Sequence, residues 1–453
     1  MMRKKIQEKL TKEQLHTVSL LSVGVVLEDF DTMLFLHTAI WINDSFFPKT
    51  DPATQQLITA FSFCSSYLLT PLGALCFGYL GDIFGRKSVI VLSSMLMALC
   101  CITAAFLPTY TQIGIAAPII LTLCRMVQNI SGISELNGVE IYLTESLKPP
   151  IQYPIVALVP VCSRIGNILA LGLAALFSSG GLLPKQFEKD GWRFAFLVGA
   201  LVGVVGAVAR SSLKEAAEFS DRQKLLKEQF KKADIKWSKD NQSINTKIPL
   251  PNCTALFFVH CGRPICFYFI LFHCAEILRN TFDFTPEQIV RNNIIPLIMN
   301  LISTLIFAIL SYKFHPLKLI KFKLMMFLAL LACFPFATNT WHSAKTILMF
   351  QCLLIFFRFD HIPAAPIFIK HFPVLTRFRY SSFLLASAYL STYVITSFGL
   401  VFLTKIFGNN GVLLLFIPFG ICFNWAIGYF VNKEETEKKQ SFERQKSTFV
   451  GHL

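Results

Sequence analysis

The sequence predicts an all-α membrane protein with twelve transmembrane helices arranged in two six-helix halves. The first supporting observation is composition: of 453 residues, 54% are hydrophobic and only 15% are charged. Soluble globular proteins carry about 25% charged residues, so a soluble chain this apolar would lack the polar surface needed to cover its core. A lipid bilayer accepts an apolar exterior, provided that each spanning segment satisfies its own backbone hydrogen bonds as a helix.

The second observation is the number of long apolar segments. A transmembrane helix needs about 20 mostly apolar residues, and short connections separate most of the segments that meet this condition. The predicted spans are residues 18–41, 54–77, 88–107, 113–137, 153–177, 192–210, 252–276, 290–312, 322–338, 343–369, 381–406 and 411–431.

The third observation is a long polar and basic segment, residues 211–250, which leaves six spans on each side. Its first part has the amphipathic pattern of a helix that lies on a membrane surface. Membrane proteins built from two repeated halves are joined in this way. The predicted domains are a cytoplasmic N-terminus (1–17), a first six-helix half (18–210), a cytoplasmic linker (211–250), a second six-helix half (251–431) and a cytoplasmic tail (432–453).

The basic residues predict the orientation of the chain. Most of the 42 lysines and arginines fall in the two termini, the linker and alternate loops, which share one face if the spans alternate. Basic loops stay on the cytoplasmic side, so we expect a multi-pass protein of the cell inner membrane with both termini cytoplasmic. This bias also accounts for the net charge of +15, and no nucleic-acid partner is expected.

Several function classes lack their sequence signals. The 13 cysteines are scattered through apolar segments and have no spacing typical of zinc ligands or of a disulfide framework. The chain contains no glycine-rich phosphate loop followed by Lys-Ser or Lys-Thr, and no nucleophile elbow. We therefore expect neither an enzyme nor an ATP-driven pump, and no metal site.

Charged residues within the predicted spans are the first candidate functional residues. One charge at mid-span costs roughly 2.5–3.5 kcal/mol on insertion scales, so such residues usually face a cavity or an ionic partner. Glu28 and Asp31 lie three residues apart and share a face of span one. Arg125 and Glu135 lie in span four, with backbones roughly 15 Å apart at 1.5 Å per residue, so Arg125 is predicted to meet a carboxylate of another helix. Arg164 is a further buried cation in span five.

The second half carries its own ionisable set within predicted spans. For these residues we favour structural pairing over a role in function. The set comprises His260, Arg263, His273, Glu276, Arg358, Asp360 and His361.

The loop between spans two and three carries a recognisable motif, GYLGDIFGRKSVI at residues 78–90. It resembles the signature of the major facilitator superfamily, although Ile83 departs from that pattern. Asp82 and the basic pair would form a charge-assisted latch that holds one transport state. The corresponding loop of the second half, SYKFHPLKLIKFK, lacks the Asp and the Gly-Arg pair, so no symmetric second latch is expected. The predicted cytoplasmic gate motif consists of Gly78, Gly81, Asp82, Gly85, Arg86 and Lys87.

A narrower resemblance covers about residues 20–220. The segment VGVVLEDFDTMLF in span one, together with TYTQIGIAAPIILTLCRMVQ, is similar to the metabolite:proton symporter family, whose best-known members carry proline and betaine. Four positions depart from the family pattern: Thr70, Asn129, Ser134 and Lys370. The resemblance implies a major facilitator fold and proton-coupled symport of a small polar metabolite, with no cofactor beyond the proton gradient.

The residues predicted to bind substrate or couple protons are Glu28, Asp31, Arg125, Glu135 and Arg164. We favour Asp31 as the proton carrier, Glu28 as its alternative and Arg125 as a switchable partner. Two other functions stay open: symport of an organic carboxylate, and a non-transporting or decayed paralogue that acts as a membrane sensor. The expected partners are a small-molecule substrate, protons and the lipid bilayer, with the chain acting as a monomer.

Overall fold

The computed structural model describes most of the chain, and the described residues are almost entirely helical, with no β-strand among them. The described ranges are 9–46, 67–178, 191–232, 248–340 and 343–450.

The second helix continues to Phe84, past the predicted end of span two at residue 77, so the predicted loop at 78–90 is helical except at Gly85. The helices of the first half otherwise overlap the predicted spans. They are α1 (Lys12–Phe46), α2 (Thr70–Phe84), α3 (Arg86–Phe106), α4 (Ala116–Ser146), α5 (Gln152–Ser178) and α6 (Gly191–Ser211). A single turn, Tyr110–Ile113, precedes α4, and the predicted amphipathic segment forms a linker helix, Ala217–Lys232. Residues 54–66 of the second predicted span lie outside the described residues.

The second half begins with α7, which contains a π-helical turn between its two α-helical parts. The bounds are α7 (Leu250–Phe267, π-helical Tyr268–His273, then Cys274–Phe282), α8 (Pro286–Lys313), α9 (Pro316–Thr340), α10 (Ala344–Phe356), α11 (Arg377–Phe407) and α12 (Gly411–Val450). A short helix, Ala365–Lys370, lies between α10 and α11.

The tenth predicted span, 343–369, is wrong as a single helix. The chain leaves the helix after Phe356 and resumes it only at Ala365. Pro363 lies in the gap, and because proline has no N–H and restricts the residue before it, it does not continue a helix from that side. Hydropathy alone does not register such a break, since the segment stays apolar throughout.

Seven helices among the described residues are long and apolar enough to cross a membrane, judged by length and composition. Large apolar side chains are exposed along them, for example Phe106 at 69% and Ile309 at 68%. Such exposure is unfavourable in water and expected against lipid tails.

The contacts divide the chain into two compact units. Unit 1 contains Met1–Lys247 together with Phe372–Leu390, and unit 2 contains Ile248–His371 and Ser391–Leu453. The first half of α11 thus belongs to unit 1 and its second half to unit 2.

Each unit has its own core. In unit 1, α1 runs closely against α5 at Gly166, where an added Cβ would overlap the carbonyl of Val26; such small residues let membrane helices approach. In unit 2, aromatic rings from α7, α9 and α12 meet: Phe269 lies 5.4 Å from Phe334 and 5.2 Å from Phe416 between ring centroids. Aromatic pairs at such distances add about 0.5–1.5 kcal/mol each beyond burial.

Candidate functional site

Arg86, the first residue of α3, lies at the centre of a buried ionic cluster in unit 1. Its side chain is 0% exposed. Nε and Nη2 donate to the two carboxylate oxygens of Glu145 at 3.0 and 2.9 Å, and further bonds reach the carbonyls of Gly81 at 2.8 Å and Val374 at 2.6 Å. A planar guanidinium matches a carboxylate in this bidentate way, which a lysine does not reproduce.

Asp82 caps the first turn of α11. Its two carboxylate oxygens accept bonds from the backbone N–H groups of Phe378 and Arg379, each at 3.1 Å. A carboxylate at a helix N-terminus satisfies otherwise free N–H groups and complements the helix dipole.

Glu145, at the end of α4, joins two arginines. Besides Arg86, it accepts a bond from Nη1 of Arg377 at 3.0 Å, and the same Nη1 lies 3.3 Å from Glu218 of the linker helix. The cluster therefore links α3, α4, the linker helix and the start of α11. We call Asp82, Arg86, Glu145 and Arg377 the latch cluster.

Gly85 turns the chain between α2 and α3 with a φ of +99°, which disfavours any residue with a Cβ. An added Cβ would also overlap the carboxylate of Glu215. Glu215 accepts bonds from the backbone N–H groups of Arg86 at 2.9 Å and Lys87 at 3.3 Å, so it caps α3. Lys87 thus contributes to the latch region through its backbone.

The two other motif glycines permit close contact with α11. An added Cβ at Gly78 would lie 2.5 Å from the Cα of Arg379, and one at Gly81 would lie 3.0 Å from the ring of Phe378. The motif therefore supplies both the charges of the latch cluster and the space in which α11 meets them.

We expect Asp82→Asn to leave membrane insertion intact and to slow solute exchange by about tenfold, the equivalent of one charge-assisted hydrogen bond of about 1.4 kcal/mol. The reason is that the amide offers one oxygen where the carboxylate accepts from the N–H groups of both Phe378 and Arg379. The measurement is exchange of a labelled transported solute in vesicles. A wild-type rate of exchange in Asp82→Asn would refute a role for the carboxylate.

Glu135 of α4 forms a second buried ion pair in unit 1. Its partner is Arg210, the penultimate residue of α6, and both side chains are almost fully buried. The other Glu135 oxygen accepts bonds from the hydroxyls of Ser93 at 3.1 Å and Ser94 at 3.0 Å, both on α3. Sequence reasoning singled out Glu135 but missed Arg210, because a cation at the end of a span is also typical of a side chain that extends to the membrane surface.

Arg210 also lies against α1. An added Cβ at Gly24 would overlap its guanidinium. Positions 24, 28 and 31 follow the i, i+4, i+7 spacing of one helix face, so the α1 backbone that contacts Arg210 is on the face carrying the two predicted acidic positions.

The side chains of Glu28 and Asp31 lie outside the described residues, so their predicted pairing with Arg125 stays a prediction. Arg125 is buried and its Nη1 donates to Gln128 at 2.7 Å. Arg164 is buried on α5. The α1 residue Asp29 accepts a bond from the hydroxyl of Ser163.

Unit 2 contains a third ionic cluster, which we call the 358–360 cluster. Asp360, in the segment after α10, pairs with Lys323 of α9 at 3.0 Å and with Nη2 of Arg358 at 2.8 Å. Lys323 ends the second-half loop in which no symmetric latch was expected. That loop does lack the motif, yet Lys323 pairs with a carboxylate from the segment that follows the fourth helix of its half, whereas Arg86 pairs with Glu145 at the end of the fourth helix of the first half.

Long apolar helices with ionic clusters buried among them define a polytopic membrane protein, in which such ion pairs commonly mark substrate and ion pathways. Residues 21–359 match the family described as the Major Facilitator Superfamily. This match spans more than half of the chain, so the chain belongs to that superfamily: it is an integral multi-pass membrane protein and not an enzyme. The predicted fold class, an all-α membrane protein of major facilitator type, is confirmed.

Curated relatives resemble less than half of this chain. It is 32% identical over 211 residues to a putative proline/betaine transporter of Staphylococcus aureus (strain COL), covering 46% of this chain and 45% of the relative. It is 31% identical over 198 residues to the proline/betaine transporter of Salmonella typhimurium (strain LT2), covering 44% and 39%. The matches thus span less than half the length of these relatives.

Solved structures resemble nearly the whole chain at low identity. The proton:xylose symporter XylE of E. coli is 15% identical with a TM-score of 0.73, covering 92% of this chain and 95% of that one. The human organic anion transporter MFSD10 is 14% identical with a TM-score of 0.62, covering 93% and 100%. At these identities the likeness concerns the fold alone.

Proposed function

We propose that the chain is a secondary active transporter that moves a small polar metabolite of the proline or betaine class together with a proton. The names of its relatives support the substrate class. The buried pair of Glu135 and Arg210 is the observation that supports the proton coupling. A carboxylate and a cation among apolar helices cost free energy unless each is neutralised by the other or by a ligand.

The coupling follows from the charges of that pair. Ionised Glu135 neutralises Arg210, whereas protonated Glu135 leaves the guanidinium buried beside Gly24 without its counter-ion. A solute carboxylate then becomes a favourable partner for Arg210. Proton binding therefore promotes solute binding, and linkage requires that solute binding promote protonation to the same extent.

Asp31, the proton carrier that the sequence favours, is the second candidate here, with Arg125 as its partner and Glu28 as its own alternative. Both acidic positions lie on the α1 face that carries Gly24, and the guanidinium of Arg210 lies against Gly24. A change of charge at either acidic position would therefore also affect Arg210. Arg164 completes the set of buried cations that we assign to solute binding.

The latch cluster serves as a gate in this proposal. Asp82 binds the first turn of α11, and Arg86 and Arg377 both bind Glu145. These hydrogen bonds and ion pairs form or break together, as expected of a gate with two alternative states. We assign the gate to the cytoplasmic side.

The orientation gives a direct test of topology. We propose a monomer in the cell inner membrane with both termini and the linker cytoplasmic, as the basic loops predict. Reporter fusions after residues 50, 185 and 280 should report a periplasmic location, and a fusion after residue 235 a cytoplasmic one. A periplasmic signal at 235 would exclude this topology.

Uptake measurements test the function. Vesicles containing the full chain should accumulate labelled proline or glycine betaine when an inward proton gradient is imposed. This accumulation should stop when an uncoupler collapses the gradient. Accumulation of organic carboxylates alone would assign the second candidate function, which the cations of the 358–360 cluster favour. Absence of uptake for all these solutes would favour the membrane sensor.

A further inference from the structure

A cavity of about 540 Å³ lies in unit 1 between the last residues of α3 and the first residues of α6. This end of α3 is the one opposite Arg86 and the latch cluster. Three of the nine described residues that line the cavity are polar, namely Thr109, Gln112 and Arg193, and the other six are apolar. The volume is within the range of about 300–1,000 Å³ typical of ligand pockets. The cavity therefore has room for a ligand and offers it a cation, with no acid among the residues lining it.

Arg193, near the start of α6, supplies the positive charge of the cavity. Its Nη1 donates to the carbonyls of Ala105 at 2.7 Å and Leu107 at 2.9 Å, at the end of α3. These bonds orient the guanidinium, and because the two acceptors are neutral they do not cancel its charge. A planar guanidinium matches the oxygens of a phosphate as it matches those of a carboxylate.

Thr109 and Gln112 add polar groups to the same cavity. They form a capping box in the turn before α4: Oε1 of Gln112 accepts from the N–H of Thr109 at 3.0 Å, and the Thr109 side chain accepts from the N–H of Gln112. With its oxygen used in this cap, the exposed side chain of Gln112 has its amide N–H groups as donors. The cavity therefore combines the cation of α6 with hydrogen-bonding groups of the turn.

Exposed apolar side chains lead away from the cavity along both helices. On α3, Leu99 and Ile102 are exposed on the face that carries Phe106, one of the lining residues. On α6, Leu201 and Val205 are exposed on the face that carries the lining residues of that helix. Surfaces of this kind are expected against lipid tails. A ligand in the cavity is therefore polar and anionic at one end and has hydrocarbon beside it along the two helices.

We propose that this cavity binds the headgroup of an anionic phospholipid. Its phosphate accepts hydrogen bonds from Arg193, and its acyl chains lie along the exposed apolar faces of α3 and α6. The positive charge of the cavity favours an anion, and the apolar faces favour a lipid over free phosphate. Under the proposed topology the lipid belongs to the outer leaflet of the membrane. The site is separate from the residues proposed to bind solute and protons, so the inference does not depend on the identity of the solute.

The test follows thermal melting of the purified full-length protein in mixed micelles of detergent and lipid. Dioleoylphosphatidylglycerol has a net negative charge, whereas dioleoylphosphatidylcholine has the same chains and a phosphate but no net charge. Phosphatidylglycerol is expected to raise the melting temperature saturably. Half of the rise should occur at a mole fraction of lipid at least about tenfold lower than phosphatidylcholine requires, because only the first lipid retains its attraction to the cation.

Gln112→Glu reverses the electrostatics of the cavity without removing a bond of the fold. A capping box accommodates Glu as well as Gln at this position, so the turn is expected to form, while the new carboxylate repels the phosphate. Half-saturation by phosphatidylglycerol should then require about tenfold more lipid. The matched control is Gln288→Glu, the same change at the same position of the capping box that begins α8 in unit 2. This control should respond to lipid as the wild type does.

Arg193→Gln removes the cation and is expected to abolish the preference for phosphatidylglycerol over phosphatidylcholine. Because the variant also loses its bonds to the carbonyls of α3, its lipid-free melting temperature is lower than that of the wild type. The rise on adding lipid is therefore measured from the variant's own lipid-free value.

Equal responses of the wild-type protein to the two lipids would overturn the assignment to an anionic headgroup. A wild-type preference for phosphatidylglycerol in both Gln112→Glu and Arg193→Gln would overturn the site. Sodium phosphate without lipid distinguishes the remaining source of the same chemistry. A rise in melting temperature with sodium phosphate that is lost in Arg193→Gln, together with no preference between the lipids, would indicate a site for free phosphate and overturn the lipid.

Discussion

Replacing Glu135 with glutamine is expected to abolish proton-driven accumulation of solute while downhill exchange continues. The amide keeps the size of the side chain and its contacts with Ser93 and Ser94, but it neither carries a proton nor balances the charge of Arg210. The measurement compares uptake of labelled proline with and without a proton gradient.

Glu228→Gln makes the same chemical change at an exposed position of the linker helix and should accumulate solute as the wild type does. Normal accumulation by Glu135→Gln would refute proton coupling through this residue. If Asp31→Asn then lost accumulation in the same assay, Asp31 would be the proton carrier, as the sequence alone predicts.

Arg86→Gln is expected to destabilise unit 1 strongly and to stop transport. The guanidinium binds Glu145 and two carbonyls and stacks 4.4 Å from the ring centroid of Phe219. Removing one partner of a buried ion pair typically costs about 3–5 kcal/mol. Thermal melting of the detergent-solubilised protein should show a large decrease, and Arg86→Lys should recover little because lysine makes no bidentate pair.

The matched control is Arg222→Gln, an exposed arginine of the linker helix, which should melt with the wild type. If Arg86→Gln kept both the wild-type melting temperature and the wild-type exchange rate, Arg86 would have no role in the latch cluster. A normal melting temperature with slowed exchange would instead separate gating from stability.

The motif at residues 78–90 could be found from the sequence because its charges and glycines are contiguous. Its partners could not, because they lie far away in the sequence. Glu145 is at the end of α4, Glu215 is in the segment between α6 and the linker helix, and Arg377 begins α11. Nothing in the local spacing of Asp82 indicates that it caps a helix beginning at Arg377. The broken tenth span was missed for a related reason, because hydropathy measures composition and not hydrogen bonding.

The sequence by itself determined the membrane character, the positions of most apolar segments and the motif, because these depend on composition and short-range spacing. The six-and-six division stays a prediction. The tertiary structure decided which charges meet: Glu135 with Arg210, and Lys323 with Asp360. Ion pairing falls off with the distance between two atoms, and in these pairs that distance is set by how helices far apart in the chain pack. Several buried cations were therefore visible in the sequence, but only the packing of the helices distinguished the partner of each.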